Sequence, residues 1–312
     1  MKSLEQATVD HGPPEITRGA AATLAHTRRV PARSTVRSRI HAIKELPAVL
    51  SIGVLSFFLA SALFPQLMTH WLPTNMAANS ILLPPGGAHW FGTDQFGRDV
   101  YSLVVYGARQ SMLIAGFSVL IGCGGGSLLG IIAGYAGGWI DKIAMRLVDI
   151  WLAIPSVLLA LAIATALPPS RRNLIIAVGF TLIPRQARIL RGQALAVRSR
   201  PFIEAARAAG ASHWAILRGH VLPHCFAQIF VLATINIALS ILIAATLTFL
   251  GLGQHDDRPD WGYLLSQSRS YLGIAWWSVT FPGLAITTLV ISVNLLGDAL
   301  QRRLDPRRAT AR

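Results

Sequence analysis

The fold class this sequence predicts is an all-α membrane protein that crosses the bilayer six times. Composition is the first reason. Of 312 residues, 53% are hydrophobic and only 13% charged, with a mean hydropathy of +0.50, whereas a soluble domain carries about 25% charged residues. The second reason is that apolar runs long enough to span, roughly 20 residues, recur along the chain. The third is that Lys and Arg collect in alternate connections between those runs. Net charge is +14. Nucleic acid does not explain it, because the basic residues fall in particular loops rather than in one patch. Cys123 and Cys225 lie in or beside apolar runs, without the spacing of a metal site or a disulfide framework.

Residues 1–46 are polar and basic, with Pro13, Pro14 and Pro31, and read as an N-terminal tail rather than a signal peptide. Residues 47–69 form the first span. Residues 70–109 form a loop containing HWFGTDQFGRDVYSLVVYGAR. Residues 110–300 hold the other five spans: Ser111 to Ala133, Leu147 to Leu167, Leu174 to Ile183, Cys225 to Leu250, and Trp276 to Leu300. Residues 301–312 are a basic tail. The fourth run is short and is followed at once by Pro184, Arg185 and Arg188. Charge decides whether it crosses, since Lys and Arg accumulate in cytoplasmic loops. With six spans and a cytoplasmic N-terminus, 22 of the 28 basic residues lie inside and six outside. Without the fourth crossing the balance becomes 12 against 16. Six spans therefore follow, with both termini cytoplasmic.

That count places Ser199 to Pro223, SRPFIEAARAAGASHWAILRGHVLP, in the cytoplasm between the fourth and fifth spans. Pro201 suits the first helical position. Glu204 falls in the first turn, where a carboxylate complements the helix dipole. Ala205, Ala206, Ala208 and Ala209 favour helix. Gly210 reads as a stop and Ser212 as the cap of a second helix. Trp214, Leu217 and Val221 read as one apolar face, and Pro223 as the end of the unit.

Other candidate sites have plainer readings. Gly122, Gly126, Gly130 and Gly134 put small residues on one face, a spacing that lets membrane helices approach closely. A phosphate loop in Gly122 to Ser127 lacks the Gly-Lys-Ser/Thr that would follow it, so ATP bound in the service of this chain must be bound by another. Asp149 and Asp298 read as interfacial ion pairs with Arg146 and Arg302. Asn236 and Asn294 read as polar groups that bond between packed helices, with lining a pathway as the alternative. Pro155 and Pro184 read as bends in the third and fourth spans. His213, His220 and His224 have no HExxH arrangement, and no GxSxG nucleophile elbow occurs. Trp90, Phe91, Asp94, Asp99, Asp256, Asp257, Asp260 and Trp261 read as interface anchors or an outer docking surface. A secondary carrier would place acids near the bilayer middle, and none is evident there.

Glu204-Ala205-Ala206, Gly210 and Leu222-Pro223 resemble the EAA loop of binding-protein-dependent ABC importer permeases. His89–Arg109, Ala133–Ser156, Leu247–Gly253, Asp260–Leu265 and Phe281–Leu300 are similar to the C-type permease subunit of dipeptide, oligopeptide and nickel importers. The chain departs from the general loop motif at His220, where Ile is usual, at Gly219, where that branch usually has a basic residue nearby, and at His224, where it usually has Asn. The resemblance implies a type I ABC importer permease fold and a non-catalytic subunit without a cofactor, in the bacterial inner membrane. It also implies a homologous partner permease, two ABC ATPase subunits and an external substrate-binding protein. Within residues 192–223, Glu204, Ala205, Ala206, Gly210, Leu222 and Pro223 would form the element that couples to an ATPase. Peptides are the implied substrate, with nickel or another small solute as the alternative.

Overall fold

The computed structural model describes residues 33–253 and 260–304, with side chains from 47 onward and to 302. Helices account for nearly all of it. They are α1 (Arg33–Leu63), α2 (Pro65–Met68), α3 (Val100–Ala136), α4 (Gly138–Leu152), α5 (Ser156–Ala166), α6 (Arg171–Arg198), α7 (Pro201–Ala208), α8 (His213–Ile216), α9 (Leu222–Phe249), α10 (Trp261–Ser268) and α11 (Trp277–Leu304). The chain from Pro47 onward forms a compact unit of its own, which holds the helix bundle.

Among the described residues three stretches are long and apolar enough to cross a membrane: Val100–Ala136, His213–Phe249 and Trp277–Arg302. Pro47–Leu63 is a shorter apolar helix. The expected third span is not one helix. It is the pair α4 and α5, bent by 87° between Leu152 and Ser156. Pro155 accounts for the break, because it lacks an N–H and drives the residue before it out of the helical region. Pro184 behaves differently and lies buried inside the continuous 28-residue α6. The arginines and Gln186 of α6 dilute its apolar run, and it is not among the three stretches that pass by composition.

Packing gives α6 its direction. Glycines at 122, 126 and 134 of α3 meet residues 182, 186 and 191 to 194 of α6, in rising order along both helices. The two therefore run parallel. On α9, Asn236 contacts Cys123 and Ser240 contacts Ala115, falling along α3 as α9 advances, so α9 runs against both. These three helices form the centre of the bundle.

At one end the chain before α3 is structural. Helix α3 begins at Val100, eleven residues before the expected span, because the Asp99 carboxylate caps it by accepting from the Ser102 N–H at 2.8 Å. Asp94 pairs with Arg98 at 2.6 Å, both buried. Asp260 caps α10 and accepts from the Thr248 hydroxyl at 2.7 Å; its burial pushes the carboxyl upward. Trp261 is fully buried and donates its indole N–H to the Val104 carbonyl. Asp94, Asp99, Asp260 and Trp261 are thus not outer docking groups. Trp90 is exposed, while Phe91 stacks on Phe281. Asp256 and Asp257 lie outside the described residues.

Candidate functional site

The stretch from Pro201 to Ala215 is exposed except at Ile203 and Ala206, an unusual state for fifteen ordered residues that include five exposed alanines. Its local structure follows from the sequence. Pro201 stands at the first helical position of α7, with Glu204 in the first turn. The helix ends in a Schellman motif: Ala211 N–H donates to Ala206 O at 3.0 Å and Gly210 N–H to Arg207 O at 2.9 Å. Gly210 takes φ +83°, which a side chain resists, although open space surrounds it. Ser212 then caps α8, its hydroxyl accepting from the Ala215 N–H at 3.2 Å.

The second helix departs from expectation. It does not end at Pro223. α8 continues through a π-turn, Leu217–Val221, into α9, giving one helix from His213 to Phe249. Pro223 has no N–H to give the ladder, and the wider π-turn just before it takes up the mismatch. Of the expected apolar face, Val221 is buried and Leu217 half-buried, but Trp214 is 69% exposed, and Ile216 and Cys225 are buried beside Val221.

Ile203 roots the exposed element. It is fully buried in a cluster with Ile131 and Tyr135 of α3, Leu190, Ala194 and Val197 of α6, and Ile216, Val221 and Cys225. Tyr135 adds a second hold, with its hydroxyl 3.1 Å from His213 Nδ1 and the Arg207 guanidinium 6.0 Å from its ring. Phe202 stacks on His224 at 5.3 Å, and His224 Nδ1 hydrogen-bonds the His220 carbonyl at 2.7 Å. These histidines serve packing, and among the described residues no group of three or more acids, histidines or cysteines is placed to hold a metal. Glu204 and Ala205 remain on the exposed side, Ala206 turns partly inward, and Leu222 is half-buried while Pro223 is exposed. The element is therefore stiff within itself and pinned to three core helices.

Behind it lies the glycine face. A Cβ on Gly126 would stand 2.6 Å from both the Ile183 carbonyl oxygen and Gln186 Cβ, and one on Gly134 would stand 2.6 Å from the Arg191 carbonyl oxygen. Gly122 and Gly130 are equally closed by Leu182 and Ala187. Backbone contact this close needs glycine. It brings together a buried polar chain: Gln186 Nε2 donates to Ser127 Oγ at 3.0 Å, and Asn236 Nδ2 donates to Gln186 Oε1 at 3.1 Å. Gln186 is missing from the sequence-based candidates. Its signal was an amide four residues after Leu182 and seven after Gly179, on the face that meets α3. Asn294 is exposed rather than packed.

The acidic residues of α4 also find other partners than expected. Asp149 pairs with Arg188 of α6, not Arg146. Asp141 stands in the first turn of α4, ahead of the apolar run that starts at Leu147. It makes a two-bond contact with Arg191 at 2.5 and 2.6 Å, and that guanidinium holds its carboxyl below the usual carboxylate range. No ion pair joins Asp298 to Arg302 among the described residues.

Residues 126–310 match the family described as binding-protein-dependent transport system inner membrane component. The chain belongs to that family. This makes it a transport permease rather than an enzyme. It is 41% identical over 260 residues to a dipeptide transport system permease protein of Alkalihalophilus pseudofirmus, covering 83% of this chain and 86% of that one. It is 42% identical to a probable D,D-dipeptide transport system permease protein of Escherichia coli over 78% and 81% of the two chains. A glutathione transport system permease protein of Pectobacterium atrosepticum is 43% identical over 72% of this chain and 74% of its own. Among solved structures, a chain of the inward-facing MetNI methionine ABC transporter matches with TM-score 0.51 at 21% identity, covering 66% of this permease and 96% of that chain. The fold of this permease is thus that of an ABC importer.

Proposed function

We infer that this permease is one membrane-spanning subunit of an ATP-driven importer of di- or oligopeptides in the bacterial inner membrane. Its companions are a homologous partner permease, two ABC ATPase subunits and an external peptide-binding protein. It has six spans: Pro47–Leu63, α3, the bent pair of α4 and α5 from Leu147 onward, α6, α9 and α11. Both termini are cytoplasmic. The parallel register of α3 and α6 supports this count, because two helices separated by one crossing back must run the same way.

The observation that carries the reading is the exposed α7–α8 element, rooted in the core by Ile203 and Ile216. A part that receives motion must be stiff, must dock, and must be fastened to what moves. α7 is closed by a Schellman turn and α8 by its serine cap. The exposed alanines allow close approach by an ATPase, and Glu204 offers it a charge. Ile203 and Tyr135 fasten the element to α3, α6 and α9. Leu222 and Pro223 mark where it passes into the fifth span.

Co-purification and uptake test this directly. Glu204→Lys, and Gly210 replaced by a bulky residue, should each lower recovery of ATPase subunits or uncouple hydrolysis from peptide uptake, with membrane insertion unchanged. Full transport and full ATPase recovery in both variants would refute the coupling role. Full peptide uptake in proteoliposomes without ATPase subunits would refute the importer reading itself.

A further inference from the structure

Three arginines stand at three-residue intervals on α6: Arg185, Arg188 and Arg191. Two of them are answered from α4, Arg188 by Asp149 and Arg191 by Asp141. The pairing runs antiparallel, so the group facing Arg185 falls beyond Asp149, past the end of α4 at Leu152, where the chain turns through 87°. No acid stands there. Among the described residues Arg185 has no ion-pair partner. It is exposed, and it lines a cavity of about 220 Å³ with Trp151, Pro155, Ser156, Thr181 and Leu239.

Depth makes this unusual. Arg191 meets Asp141, which stands ahead of the apolar run of α4, and Arg185 lies six residues back along α6, about 9 Å deeper at 1.5 Å per residue. That is roughly a third of a hydrocarbon layer about 30 Å thick, so Arg185, which the sequence count assigned to the cytoplasmic side, sits within the membrane. An ionised side chain at that depth is costly unless it is paired or faces water, and such residues mark pathways. Arg188 and Arg191 are paired, whereas Arg185, with no ion-pair partner among the described residues, opens onto this cavity. The cavity is smaller than the roughly 300–1,000 Å³ of a site that encloses a whole small ligand. It has room for one end of a peptide.

We propose that Arg185 holds a carboxylate of the passing peptide in the cytoplasmic half of the membrane, an inference that rests on this permease being a peptide importer. A guanidinium presents a planar fork that fits a carboxylate and stays charged at any physiological pH. Ser156 lines the same cavity. The break in α4–α5 is then what frees this arginine, by removing the acid that would otherwise neutralise it.

The test uses the complete transporter in proteoliposomes with Ala-Glu and Ala-Lys, each at a concentration that saturates the binding protein. Arg185→Gln should slow uptake of both at least tenfold, because both carry a terminal carboxylate. Arg185→Lys should restore more than a third of the wild-type rate. Arg185→Glu should depress Ala-Glu at least fivefold more than Ala-Lys. ATPase co-purification in the same membranes reports assembly, which a pathway-lining side chain should not disturb. Wild-type uptake in Arg185→Gln, a Lys variant no better than the Gln variant, a loss in Arg185→Glu that ignores peptide charge, or failure of all variants to assemble would each overturn the assignment. A wild-type transporter that takes up neither peptide would refute the peptide reading, and this assignment with it.

Discussion

Replacing Gly126 with alanine probes the glycine face where its geometry is best defined. The added methyl would stand 2.6 Å from the Ile183 carbonyl oxygen, and ordinary contact begins at 3.4 Å. α3 and α6 must therefore part by roughly 0.8 Å at this level, and the backbone oxygen cannot rotate away. Overpacking of this kind costs about 1–3 kcal/mol. Gln186 Cβ lies equally close, so the same movement stretches the 3.0 Å bond to Ser127, which adds about 1 kcal/mol. Against this, alanine gains about 1 kcal/mol over glycine in helix propensity. The net is a loss of roughly 2 kcal/mol. Gly124, two residues earlier on the same helix, has nothing within 4 Å of its added methyl, so Gly124→Ala keeps the propensity gain and should stabilise by about 1 kcal/mol. Thermal unfolding of the two variants in nanodiscs, followed by tryptophan fluorescence, should separate their Tm values by roughly 6–12 °C, at about 2–4 °C per kcal/mol for a chain of this size. If Gly126→Ala melts with wild type, or Gly124→Ala falls as far as Gly126→Ala, close backbone contact is not what these glycines provide.

Ile203→Ala should cost about 2–5 kcal/mol locally by emptying a fully buried site, seen as faster amide exchange in α7 and α8 while α11 is unchanged. Gly210→Ala should cost about 1–2 kcal/mol through its left-handed backbone alone, since no atom blocks the methyl; a Tm equal to wild type would remove that strain argument. The Asp141 carboxyl is held low by Arg191, so its stabilisation is complete above the unfolded carboxylate value near pH 4 and is lost as pH falls through the lower folded value. Tm should stay level from about pH 8 to 5 and drop below about pH 4, and Asp141→Asn should lower the plateau and flatten that drop.

Much of the exposed α7–α8 element was legible in the sequence because its signals are local. Pro201, Glu204, Gly210 and Ser212 act through their own backbone and the next turn, and each stands where its chemistry places it. The reading failed at Pro223 and Trp214, since a π-turn is a compromise between a proline and the packing of Ile216, Val221 and Cys225, and no local residue announces it. The outer aspartates failed for a related reason. A carboxylate that caps a helix and one that meets a partner carry the same letter, and only burial tells them apart.

Helicity, membrane embedding, the apolar segments and the family could all be read from the order of residues alone, because composition, period and motif spacing are properties of one strand of text. The parallel run of α3 and α6 through glycine contacts could not, and emerges only from the folded chain. Folding also set Gln186 between Ser127 and Asn236, and left Arg185 without an ion-pair partner among the described residues while Arg188 and Arg191 found acids. Those outcomes depend on distances between helices far apart in the chain, set by side-chain volume and by the 87° break at Pro155, and pairing across such a gap is fixed by packing rather than by order along the sequence.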